Sequence, residues 1–111
     1  MQNDETYLLD IFESAKIAVK YLEDLTFKEF EEDLRTQDAI IRRIEIIGEA
    51  SSKVTEETQI KYSDISWKGM KGMRNFFIHE YNYLDLDIIW ETVKNNLPPL
   101  IKELEKILDA S

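Results

Sequence analysis

Residues 35–51, R-T-Q-D-A-I-I-R-R-I-E-I-I-G-E-A-S, place isoleucines at 40, 44 and 47 with charged residues between them. Steps of four and three return an apolar side chain to one face of an α-helix at every turn. The spacing predicts a helix from about Leu34 to Ser52. Gly48 falls inside it, at a cost of about 1 kcal/mol against alanine, so a close approach by a neighbouring backbone is expected there.

Outward from this segment the same period continues. Leu8, Phe12, Ala15, Val19 and Leu22 form a stripe on a helix expected over about residues 4–24. Thr26 with Glu29 reads as a capping box, opening a helix of one or two turns in F-K-E-F-E-E-D. Residues 53–66 are polar and read as a loop, with Asp64 or Ser66 capping a helix over Trp67 to Ile78. A last helix begins near Asp85 or Asp87 and uses Ile89, Val93, Leu97, Leu100, Leu104 and Leu108. Pro98 and Pro99 fall in its middle, where two missing donors predict a bend or break. Three glycines and two prolines supply few turns and argue against an all-β fold. The expected architecture is all-α, an antiparallel bundle of four main helices plus one short helix, with residues 1–111 as one domain.

Composition narrows the function. A chain of 111 residues, 43% hydrophobic and 33% charged, is that of a globular protein with a single core. With no cysteine there is no disulfide framework and no thiolate chemistry or thiolate metal site, and neither a metal nor a cofactor is expected. No apolar run reaches 18 residues, so no membrane span is expected. The acidic start M-Q-N-D-E-T-Y lacks the order of a signal peptide, and a cytoplasmic protein is expected. A net charge of −9 excludes a generic nucleic-acid coat; any RNA contact must use a local patch.

Such a patch surrounds M-R-N-F-F-I-H-E-Y, residues 73–81, which holds the chain's one histidine. From Lys61 to Arg74 three lysines and an arginine stand against Asp64 alone. On a helix Trp67, Met70, Met73 and Phe77 gather on a core face, while Lys71, Asn75 and His79 form a polar ridge with Lys68 beside it. Gly72 adjoins the ridge and leaves room for something to approach. Arg74 falls at the edge of the apolar side, about 140° round from His79. Histidine moves protons near neutral pH and arginine stabilises charge on phosphorus, a pair suited to attack of a ribose 2′-hydroxyl on its phosphate. Equally, a histidine in the last turn of a helix interacts well with its dipole and needs no function. Spacing and composition leave both readings open.

The chain resembles the HEPN superfamily, specifically HepT-like toxins paired with a minimal nucleotidyltransferase antitoxin. The resemblance runs through Y-L-L-D-I-F-E-S-A, T-Q-D-A-I-I-R-R-I-E-I-I-G-E-A, I-S-W-K-G-M-K-G-M-R-N-F-F-I-H-E-Y and D-L-D-I-I-W-E-T-V-K-N-N-L-P-P-L. The family motif, an arginine, four residues, a histidine, one residue and a tyrosine, is met by Arg74, His79 and Tyr81, with the usual asparagine at Asn75. The resemblance implies a homodimer with two motifs facing one cleft, and a metal-independent endoribonuclease with Arg74 and His79 catalytic. Lys68, Lys71 and Asn75 are candidates to support RNA such as tRNA or mRNA. It further implies silencing by a cognate antitoxin that transfers AMP to Tyr81. Related HEPN domains also act as non-catalytic, substrate- or nucleotide-binding subunits of nucleotidyltransferases, and the same ridge would serve that role.

Overall fold

The computed structural model describes residues 3–79 and 85–110, with residues 74–79 and 110 described by their backbone. Helix α1 spans Asp4–Leu22, α2 Phe27–Glu31, α3 Leu34–Lys53, α4 Glu56–Lys61 and α5 Trp67–His79. Helix α6, Leu86–Glu91, runs through a π turn at Thr92–Asn96 into α7, Leu97–Ala110. The architecture is all-α, as the periodicity indicates, and no strand occurs among the described residues. No helix there is long and apolar enough to cross a membrane.

Helix α3 is central: it packs against α1 on one side and α5 on another, while α7 packs against α1. Ile40, Ile44 and Ile47 are fully buried, facing a core that includes Ile11, Ala15 and Leu22 of α1 and Leu97 and Leu104 of α7. Each fully buried isoleucine contributes about 1.5–3 kcal/mol. The exposed Lys53–Glu49 pair, at 3.6 Å, belongs to a class worth about 0.3–0.5 kcal/mol. The apolar stripes therefore set the arrangement, and the surface charges do not.

Local chemistry fixes the helix ends. Thr26 and Glu29 form the expected capping box, with Glu29 N–H donating to Thr26 Oγ1 at 3.1 Å and Thr26 N–H donating to Glu29 Oε1 at 2.9 Å. Phe30 is completely buried and, with Phe27, packs on Trp90 of α6 at centroid distances of 5.6 and 5.5 Å. Lys94 lies over the Trp90 ring and donates to the Leu22 carbonyl at 3.0 Å, covering the end of α1. Gly48 is buried within α3.

Two expectations need correction. Residues 53–66 contain α4, which has no buried residue and so no apolar period to reveal it. Its cap, Thr55, is held across the chain: Asp4 accepts from Thr55 N–H at 3.1 Å and from the hydroxyls of Thr55 and Thr58 at 2.5 Å each. The second concerns Pro98 and Pro99, where of the expected bend or break the break is absent and the helix runs on through a π turn. Residues 98 and 99 cannot donate to the carbonyls four residues back, so the ladder slips to wider spacing and Leu97 N–H donates to the Thr92 carbonyl. Both prolines then sit in the first turn of α7, where absent donors cost little.

The Thr55 and Thr58 hydrogen bonds hold the Asp4 carboxyl below its usual 3.8. A group with a depressed folded-state pKa stabilises the fold above its unfolded value, and that contribution fades as pH falls through the folded one. Thermal unfolding of Asp4→Asn should therefore show a lower midpoint than the parent near pH 7. The gap should narrow progressively below about pH 4.

Candidate active site

Helix α5 begins from a fixed anchor. The Ser66 carbonyl accepts from Met70 N–H at 3.1 Å, and Trp67 N–H donates to the Ile65 carbonyl at 2.9 Å. The Trp67 indole N–H donates to the Tyr62 carbonyl at 3.1 Å. Trp67 and Met70 are buried, and Met73 packs partly buried against the same core. From this anchor the backbone stays helical through His79.

Arg74, Asn75 and His79 thus stand on one uninterrupted helix. Along its axis Arg74 and His79 are about 7.5 Å apart, and around it about 140°. By register Arg74 follows Trp67 by seven and Met70 by four, on the stripe whose earlier members are buried. His79 follows Gly72 by seven, on a different stripe. One copy of α5 does not gather both positions on one face. Tyr81 lies outside the described residues.

The cations of the ridge differ in their surroundings. Lys68 is exposed. Lys71 is half-buried and donates to Gln59 Oε1 at 3.3 Å, while Gln59 donates from Nε2 to the Val54 carbonyl at 2.9 Å. Lys71 is therefore tied to α4, an element that periodicity did not disclose. Lys61 lies over the Tyr62 ring, 5.3 Å from its centroid. Among the described residues, no group of three or more His, Cys, Asp or Glu side chains is placed to hold a metal ion.

Beside α5 the bundle is open. Among the described residues α5 touches α7 slightly at most, and a groove of about 610 Å³ lies between α5 and the segment from α6 to α7. Its α5 wall is Gly69, Met70, Gly72 and Met73; Asn95, Asn96 and Leu100 face them. A Cβ at Gly69 would come within 2.7 Å of Ser66 Oγ, whereas one at Gly72 would meet nothing within 4 Å. Among the described residues, the packing does not explain Gly72. The asparagines were missed from sequence, since they sit on the helix turn whose direction changes with the π slip.

The family description Ribonuclease HepT-like matches residues 11–107. The chain belongs to the HepT-like ribonuclease family. Within it, a protein of Methanocaldococcus jannaschii provisionally named RNase MJ0127 is 42% identical over 92% of this chain and 84% of its own. A Thermococcus cleftensis protein provisionally named ribonuclease HepT is 35% identical over 96% of each chain. A Caldanaerobacter subterraneus relative, provisionally named RNase TTE0752, is 34% identical over 97% of this chain and 96% of its own. No solved structure matches significantly. The match of this HepT-like chain runs from within α1 to within α7, and it includes the whole of α5, on which Arg74 and His79 stand.

Gly72→Ala should stabilise the isolated fold by roughly 0.5–1 kcal/mol, because a helical glycine is replaced where nothing is struck. Denaturant unfolding measures it. A loss of stability would mean that the groove closes in solution.

Proposed function

We propose that this single-domain chain is a cytoplasmic ribonuclease toxin that cleaves RNA without a metal ion, with Arg74 and His79 as its catalytic pair. The family match over residues 11–107 carries this reading. The uninterrupted helix beneath both positions supports it. In the proposed reaction a ribose 2′-hydroxyl attacks the adjacent phosphorus and the bond to the 5′-oxygen breaks, leaving 2′,3′-cyclic phosphate and 5′-hydroxyl ends. The attacking hydroxyl loses a proton and the leaving oxygen gains one, transfers suited to an imidazole. The guanidinium suits the charge on the phosphoryl oxygens.

Opposed azimuths on α5 favour a two-fold homodimer, which collects two arginines and two histidines at one cleft. Lys68 and Asn75 would contact the RNA backbone, with Lys71 shared between RNA and Gln59. A net charge of −9 limits how many phosphates can be neutralised, so the footprint is short and the substrate specific, such as a tRNA loop or an mRNA segment. Regulation would come from a cognate nucleotidyltransferase antitoxin that transfers AMP to Tyr81, placing a bulky anion at the cleft. A second reading, a non-catalytic nucleotide-binding subunit, draws on the open groove beside the ridge; it requires ATP binding with no RNA cleavage.

Purified protein in EDTA should cut a mixed tRNA pool and leave cyclic phosphate ends. His79→Ala and Arg74→Ala should each slow the cut by at least about 100-fold. Either variant cutting as fast as the parent would refute the pair. Mass spectrometry after co-expression with the cognate nucleotidyltransferase should find AMP on Tyr81; modification confined to Tyr83 would rule that residue out.

A further inference from the structure

The groove beside α5 has a composition that the catalytic pair leaves unused. We propose that it is a nucleobase subsite, holding the base next to the scissile phosphate and favouring bases that carry an exocyclic amine. The proposal rests on the ribonuclease reading above.

At about 610 Å³ the groove falls within the size range of small-molecule sites, about 300–1,000 Å³. Met70, Met73, Ile88 and Leu100 supply apolar wall, suited to the face of a base. No lysine, arginine or histidine lines it among the described residues, while Asp64 and Glu103 do. Asp64 disfavours a phosphate there, and Glu103, paired with Lys106 Nζ at 3.4 Å, adds less. The polar ridge lies just outside: Lys68 precedes Gly72 by four and His79 follows it by seven, so by register both positions fall within about 40° of the groove's glycine edge. This division, apolar and acceptor-rich within, cationic at the rim, matches a nucleotide laid with its base inside and its phosphate over the ridge. Single-stranded RNA is commonly read in this manner, with splayed bases recognised at their edges.

The preference for an amine follows from Asn95. Its amide nitrogen donates to a Glu91 carboxylate oxygen. A carboxylate only accepts, so this contact turns the amide nitrogen toward Glu91 and leaves Asn95 with Oδ1 and its second N–H unpaired among the described residues. Asn96, which also lines the groove, makes no side-chain hydrogen bond with the described residues. With Asp64 and Glu103, acceptors outnumber donors. Adenine, cytosine and guanine bring an exocyclic amine with two donors to such a lining, where uracil offers only its N3–H. Glu91 is then a positioning residue. Gly72, with open space where a side chain would stand, lets a backbone or sugar pass close to α5.

The test sequences the ends left by the full-length protein on a randomised single-stranded RNA, alongside NMR titration of the same protein with CMP and UMP. Expected are cuts depleted in uridine on one side, and stronger shifts at Met73 and Asn95 with CMP. Asn95→Leu should lower kcat/KM about tenfold at amine-bearing sites, leave uridine sites nearly unchanged and abolish the CMP preference. Glu91→Gln should weaken the bias with little loss of total rate. Cleavage whose base bias is absent or untouched by Asn95→Leu overturns the subsite and leaves the ribonuclease reading standing. Groove shifts with CMP but no cleavage keep the base site and sink the ribonuclease; neither signal sinks both. A dimer that falls to monomer in Asn95→Leu shows a second copy in the groove, and also overturns the proposal.

Discussion

The buried stripe of Ile40, Ile44 and Ile47 is the contact on which the remaining structure depends. It binds α1 to one side of α3 and α5 to another, so α5 is referenced to the core through α3. Truncating one of these isoleucines to alanine removes about 2–5 kcal/mol from a fold whose total stability is about 5–15 kcal/mol. The ties at the periphery, Asp4 to Thr55 and Thr58 and Lys94 to the end of α1, secure ends that this packing has already placed.

Among the described residues α5 leans on α3 and hardly on α7, and it faces three environments at once. One stripe is buried at Trp67 and Met70, a second carries Lys68 and Lys71, and a third borders the groove at Gly69 and Gly72. Charge follows the same partition. The protein is strongly acidic, yet α5 carries Lys68 and Lys71, while the groove at its side is lined by carboxylates and amides with no described cation. A few local cations set against a net charge of −9 make a small region of positive potential and not an extended field.

Much of the fold was legible in the chain. The bounds expected for α1, α3 and α5 lie within a residue or two of those observed, and the capping box at Thr26 formed as its spacing indicates. Helix α4 was not legible: it buries nothing, and its cap is completed by a carboxylate 51 residues away. The two prolines announced a disturbance, but a π slip and a break remove the same donors and look alike in sequence. For the motif, position along α5 was readable, and the helical backbone through His79 keeps Arg74 and His79 at the separation that spacing implies.

Periodicity and capping are local properties, encoded within a few residues, and they settled which segments are helices and which face of each seeks burial. They could not specify which helix each face would meet. That Lys71 reaches Gln59, that Asn95 and Asn96 stand opposite Gly72 and Met73, and that a groove remains between them are outcomes of packing between distant segments. Among the described residues the seam lies where α5 is held by α3 and α7 by α1, so the two helices take their positions from different neighbours and not from each other.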